Sequence, residues 1–123
     1  MLKNYKELHV WQKAYQFCLE IYKVTKTFPN EEKYGLTSQI RRAAISIPSN
    51  IAEGYGRKSS GEYIQFLYVA YGSNCELETQ LLLSGDLGYI EKIGLESLLK
   101  SVGDIERMLK ALIRSLQKKS LTP

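Results

Sequence analysis

The stretch from residue 95 to residue 116 constrains this chain most. Leu95, Val102, Leu109 and Leu116 recur every seven residues, with Leu98, Ile105 and Leu112 between them. That is the a/d spacing of a helix packed along a seam, sustained over three heptads. Leu99 and Ile113 broaden the seam. A strand cannot use such spacing, because its side chains alternate with a period of two.

Three further segments carry helical periods. From about Lys6 to Phe28, apolar residues at Val10, Trp11, Ala14, Phe17, Cys18, Ile21, Val24 and Phe28 share one face, which Tyr15 and Tyr22 widen. Pro29 disfavours helix in the residue before it and ends the segment. The second segment, about Glu31 to Tyr55, uses Leu36, Ile40, Ala43, Ala44, Ile47, Ile51 and Ala52. Its phase persists across Pro48, which predicts one helix kinked at the proline rather than two helices. Ser59 followed by Glu62 reads as a capping box opening the third helix, whose face is Tyr63, Phe66, Leu67, Ala70, Leu77 and Leu81. Gly72 and Ser73 fall inside it at a cost of up to about 1 kcal/mol for the glycine, and close packing of a neighbouring helix is the expected reason. The helix fades near Gly85-Asp86-Leu87-Gly88, and Lys118 to Pro123 reads as a fraying basic tail.

Four such helices, each of roughly 23–27 residues or 35–40 Å, joined by short breaks, predict an all-α, up-down-up-down antiparallel four-helix bundle. One domain over residues 1–123 is expected. A folded protein of this mass exposes roughly 6,700 Å² against roughly 20,400 Å² for the extended chain, so a core forms without disulfides or metals.

The chain has 17 Lys and Arg against 13 Asp and Glu, a net charge of +4. That small figure hides zones: residues 1–60 carry +5, residues 61–99 carry −5 and residues 100–123 carry +4. Such zoning steers association with subunits or anions, or is simply a set of solvated helix faces. The N-terminus lacks the pattern of a signal peptide, and no apolar run approaches the roughly 18 residues that span a membrane. Cys18 and Cys75 fit no ligand spacing, so a cytoplasmic protein with free thiols and no membrane association is expected.

Catalytic groupings are scarce. His9 is the only histidine, and no Glu-x-x-His motif is present to build a metal site in a bundle. No enzyme activity, cofactor or metal is therefore expected. Gly56-Arg57-Lys58-Ser59 resembles the end of a phosphate-binding loop, but position 51 is Ile and a helix leads in, so nucleotide hydrolysis is rejected. Two readings stay open for Arg57 and Lys58: anion contacts beside the third helix N-terminus, or a solvated turn. Arg41 and Arg42 point about 100° apart, so one is free to meet phosphate while the other pairs with a carboxylate such as Glu53 or Glu76. On the last helix Lys100, Arg107, Lys110, Arg114 and Lys118 form a basic stripe, of the kind that either meets nucleic acid or stays solvated. Nine tyrosines, among them Tyr15, Tyr22, Tyr55, Tyr63, Tyr68 and Tyr71, suit half-dry subunit interfaces, with base stacking as the alternative.

The segments Leu8 to Ala14, Phe28-Pro29, Tyr34-Gly35-Leu36 and, above all, Gln39 to Gly54 resemble the 23S rRNA-intervening-sequence protein family. Gly56-Arg57, Glu62-Tyr63, Phe66-Leu67, Gly72-Ser73, Glu76-Leu77-Glu78 and Leu87-Gly88-Tyr89 continue the match up to Tyr89. Tyr63 stands where the family usually has Phe, and Ser84-Gly85 replaces a more helical pair, which predicts a slightly early end to the third helix. The resemblance implies a bacterial four-helix bundle assembled as a ring-like homopentamer. Some members are encoded inside insertions in ribosomal RNA genes, and relatives are accessory proteins of diversity-generating retroelements that work with a reverse transcriptase. It supplies no catalytic residue.

Two expectations follow. The first is a non-enzymatic homo-oligomer that binds RNA or DNA through phosphates at Arg41, Arg42, Arg57, Lys58, Lys110 and Arg114, and self-associates through Trp11, Tyr15, Tyr22 and Tyr63. A pentamer would multiply the protomer's charge to about +20 and strengthen weak phosphate contacts by avidity. The second is a scaffold for a protein partner such as a reverse transcriptase, using the acidic zone and the tyrosines.

Overall fold

The computed structural model describes residues 2–120. Four helices, α1 (His9–Thr25), α2 (Leu36–Tyr55), α3 (Ser60–Asp86) and α4 (Lys92–Ser120), pack as the sides of a square. Sequential helices touch, α1 closes the square against α4, and no diagonal pair meets among the described residues. With the short turns between them, contacts of Arg41 with Thr25, Ser46 with Ser73 and Tyr71 with Glu106 make the three sequential pairs antiparallel. The described residues contain no strand.

The helical steps seen in the sequence fill the core. Val10, Ala14, Phe17 and Ile21 face inward from α1; Ile40, Ala43, Ala44, Ile47 and Ile51 from α2; Leu67, Ala70, Leu77 and Leu81 from α3. On α4 the buried line is Leu98, Val102, Ile105, Leu109 and then Ile113, while Leu112 is only half-buried. A straight α-helix drifts about 20° per heptad from a 3.5-residue repeat, which moves the last core position one residue along. Asn74 is the polar exception at the centre. Its Nδ2 donates to the Val102 carbonyl at 3.0 Å, and its Oδ1 has no partner.

The boundaries differ from expectation for local reasons. Residues Tyr5–Glu7 form a separate 3-10 turn, because Leu8 is extended and interrupts the helix. At the other end Thr25 donates its hydroxyl to the Ile21 carbonyl at 2.7 Å and is the last residue of α1. α2 starts at Leu36 rather than Glu31, since Asn30–Glu32 make a 3-10 turn and Glu32 Oε1 folds back to accept the Leu36 N–H at 3.0 Å. That carboxylate satisfies one of the free donors of the helix start. Its Oε2 accepts from the Tyr89 hydroxyl at 3.0 Å, and the Tyr89 ring lies 5.3 Å from Phe28, so the two turns at this end are laced together.

α2 passes through the buried Pro48 as one helix. α3 does not end early. It runs through Ser84-Gly85 to Asp86, and stops where Gly88 takes φ +81°. Tyr89 N–H then reaches the Ser84 carbonyl and Gly88 N–H the Gly85 carbonyl, a Schellman cap that favours glycine. Ser59 caps its start, accepting the Glu62 N–H at 3.2 Å.

Two glycines play opposite parts. A Cβ on Gly54 would stand 2.8 Å from Phe66 Cβ and 3.2 Å from the Tyr63 carbonyl oxygen, so α2 and α3 meet there through the missing side chain. Gly72 is exposed, with nothing within 4 Å of a built Cβ. The close packing expected at Gly72 is therefore not met among the described residues.

The helices are unequal, at 17, 20, 27 and 29 residues, not the uniform 23–27 expected. Lys13 pairs with Asp104, so His9 stands level with about residue 108. α4 then continues about 18 Å past the start of α1. Lys118 and Lys119 belong to this helix rather than to a fraying tail, and residues 121–123 of the expected tail lie outside the described residues.

Candidate nucleic-acid interface

The six basic residues singled out in the sequence divide by what they touch. Arg41 is a strap between α1 and α2: Nε donates to Thr25 Oγ1 at 2.8 Å, Nη2 reaches the Tyr22 carbonyl at 3.3 Å, and the guanidinium lies 4.6 Å from the Tyr22 ring centre. It pairs with neither Glu53 nor Glu76, contrary to the carboxylate pairing weighed above, because the Tyr22–Thr25 turn is what faces it. Arg57 lies 3.6 Å from Glu53 and stacks 4.6 Å over Phe66. Lys110 lies 3.2 Å from Glu106 and 5.6 Å from the Tyr71 ring centre. Arg107, part of the expected stripe, is paired with Asp104. Two of the five stripe cations, Arg107 and Lys110, are thus paired with carboxylates of the same helix.

Arg42, Lys58 and Arg114 are exposed, and among the described residues no ion pair or hydrogen bond holds their side chains. They do not form one surface. Arg42 lies 13 residues, about 20 Å, from the end of α2, in a groove it shares with Lys33, Tyr34 and Arg41. Lys58 and Arg114 sit toward the opposite end. The Tyr71–Glu106 register puts Ser60 level with Gln117, so the α2–α3 turn lies beside the overhanging last turns of α4. There Arg114 borders a hollow with Ser115, Lys118 and Lys119.

Titration follows these contacts. Lys110, by hydrogen bond and charge, together with the Tyr71 hydroxyl holds Glu106 below the usual carboxylate range, and Glu106 raises Lys110 in return. Burial pushes the Cys18 thiol up, and neither cysteine forms a disulfide. Burial, then the neighbouring Tyr55, pushes Tyr63 up to about 12. The fold therefore favours the neutral phenol of Tyr63. This contribution to stability is complete below the ordinary value of about 10 and is lost as pH climbs toward about 12. Tyr63→Phe is expected to flatten the alkaline fall of the thermal midpoint; a fall as steep as the parent's would move its source elsewhere.

The four expected interface aromatics also separate. Trp11 stacks on Tyr15 at 5.0 Å, and both line an apolar groove of about 320 Å³ between α1 and α2 with Leu19, Ile45, Pro48 and Ala52. Tyr22 is instead occupied by Arg41. Tyr63 packs within its own chain against Tyr55 at 6.0 Å. The periodicity missed Leu19 and Ile45, and also Val69, Leu82 and Leu83 on the outer side of α3, all between 44% and 52% exposed. Their signal was present: α3 is apolar beyond the single stripe one core requires. Among the described residues no three His, Cys, Asp or Glu gather to hold a metal ion, and no helix is long and apolar enough to cross a membrane.

The geometry defines an all-α, antiparallel four-helix bundle. The chain belongs to the 23S rRNA-intervening sequence protein family, whose model matches residues 6–111. A solved structure from Bacteroides thetaiotaomicron, a protein of unknown function from the S23 ribosomal protein family, is similar at 29% identity and a TM-score of 0.80. The similarity covers 85% of this chain and 95% of that one. No curated protein matches significantly.

Proposed function

We propose that this protein is a non-enzymatic, cytoplasmic homo-oligomer, a pentameric ring, that binds RNA or DNA through the phosphate backbone. The observation that carries the reading is the set of uncommitted cations, Lys58 and Arg114 toward one end and Arg42 toward the other, on a chain whose remaining candidate cations are paired or stacked. Such groups supply affinity without reading sequence.

Self-association is supported by surface. The protomer exposes 7867 Å², against roughly 6,700 Å² for a compact monomer of this mass. Its apolar excess lies on separate faces, Tyr15, Leu19 and Ile45 on one side and Val69 and Leu83 on another. Two different faces permit a head-to-tail contact, which closes into a ring where the rotation allows. The same α1–α2 groove favours the second reading, a scaffold for a protein partner such as a reverse transcriptase, because its lining is mostly apolar.

Two measurements test the proposal. Light scattering is expected to give about 70 kDa, five times the 14.1 kDa protomer; a protomer mass refutes the ring. Binding to RNA and DNA is expected to weaken linearly in log–log with salt and to show little sequence preference. Undetectable binding at about 50 mM salt refutes the nucleic-acid reading.

A further inference from the structure

Tyr68 and Arg114 face one groove, of about 300 Å³, on the flank of α3 and α4. Of its other polar members, Tyr71 donates its hydroxyl to Glu106 Oε2 at 3.2 Å and Lys110 is paired with the same carboxylate, while Gln117 adds an uncharged amide to the lining. Tyr68 is 52% exposed, and among the described residues it takes part in no ring or cation contact and Arg114 makes no ion pair. The groove thus offers one bare aromatic face and one free guanidinium. Arg114 also borders the neighbouring hollow lined by Ser115 and Lys119, so the cationic edge continues along α4.

We infer that this groove is a single-strand site, in which an unpaired base stacks on Tyr68 while the adjoining phosphates run past Arg114 toward Lys119. The inference rests on the nucleic-acid reading above and deepens it. A backbone contact alone uses cations and treats paired and unpaired strands alike. A bare ring beside a free cation adds a stacking platform, which every unpaired base can use and a duplex, with its bases stacked inside, cannot. The Glu106 carboxylate in the same wall is already neutralised by Lys110, so it does not oppose the phosphates.

The test compares a labelled oligouridine of about 16 nucleotides with an RNA duplex of the same length, using the full chain. Tyr68→Ala is expected to weaken the single strand at least about fivefold and leave the duplex unchanged, while Tyr68→Phe keeps the parent affinity. An unchanged helical circular-dichroism signal confirms that the exposed position tolerates the change. Equal losses on both strands, or none, overturn the stacking site while leaving phosphate binding intact. Failure of the parent to bind either probe overturns the nucleic-acid reading, and the stacking site with it.

Discussion

Gly54→Leu is expected to lower the unfolding free energy by about 3 kcal/mol, the upper part of the range for overpacking a tight contact. For 123 residues that is a fall of roughly 10 °C in the thermal midpoint. Helix propensity argues the other way, since leucine is a better helix former than glycine by up to about 1 kcal/mol. Space decides. The first added carbon already meets Phe66 Cβ at 2.8 Å and the Tyr63 carbonyl oxygen at 3.2 Å, and these are near-backbone atoms that cannot swing aside. The matched control is Gly72→Ala, where nothing lies within 4 Å. Urea denaturation of both variants checks the argument; a Gly54→Leu protein as stable as its parent would show that α2 and α3 can part at no cost.

The double variant Lys58→Gln with Arg114→Gln is expected to lower affinity for single-stranded RNA on the order of fiftyfold at about 50 mM salt. Two lost phosphate contacts reduce the log–log salt slope by about 1.4, and the same relation sets the affinity loss. Arg41→Gln serves as the contrast. Its guanidinium joins Thr25 and Tyr22, so its removal is expected to act on stability and to leave the salt slope unchanged. Fluorescence anisotropy across a salt series separates the cases. A double variant with the parent's slope would remove Lys58 and Arg114 from the interface.

The fold was legible because periodicity is a local signal. The α4 seam from Leu98 to Leu109, the Ser59 cap and the glycine near residue 88 each act within a few residues, and each appears where the spacing puts it. The start of α2 was not legible, because it depends on Glu32 reaching from the preceding turn to the Leu36 N–H and on Tyr89 arriving from 57 residues away. The site was legible only in part. Residue type marks a cation, but only the packed structure shows that Arg41 is held by a turn of α1 while Arg114 has no ion pair or hydrogen bond among the described residues. Tyr68 and Tyr71 look alike in sequence; Glu106, across the α3–α4 contact, makes one a fixed hydrogen-bond donor and leaves the other bare.

The closing side of the square has a kinetic consequence. Three sides join helices adjacent in sequence, whereas α1 reaches α4 only across the whole chain, through the thinnest contact of the four and one half-exposed pair, Lys13 and Asp104 at 3.7 Å. Bringing Lys13 to Asp104 closes a loop of roughly 90 residues, whose entropy must be spent before any contact returns it. The hairpins therefore form first and the seam last. In the native state the order reverses, and the cheapest opening is α1 swinging from α4 on its hinge to α2, exposing the inner faces of Val10 and Ile105 while the other three sides stay shut.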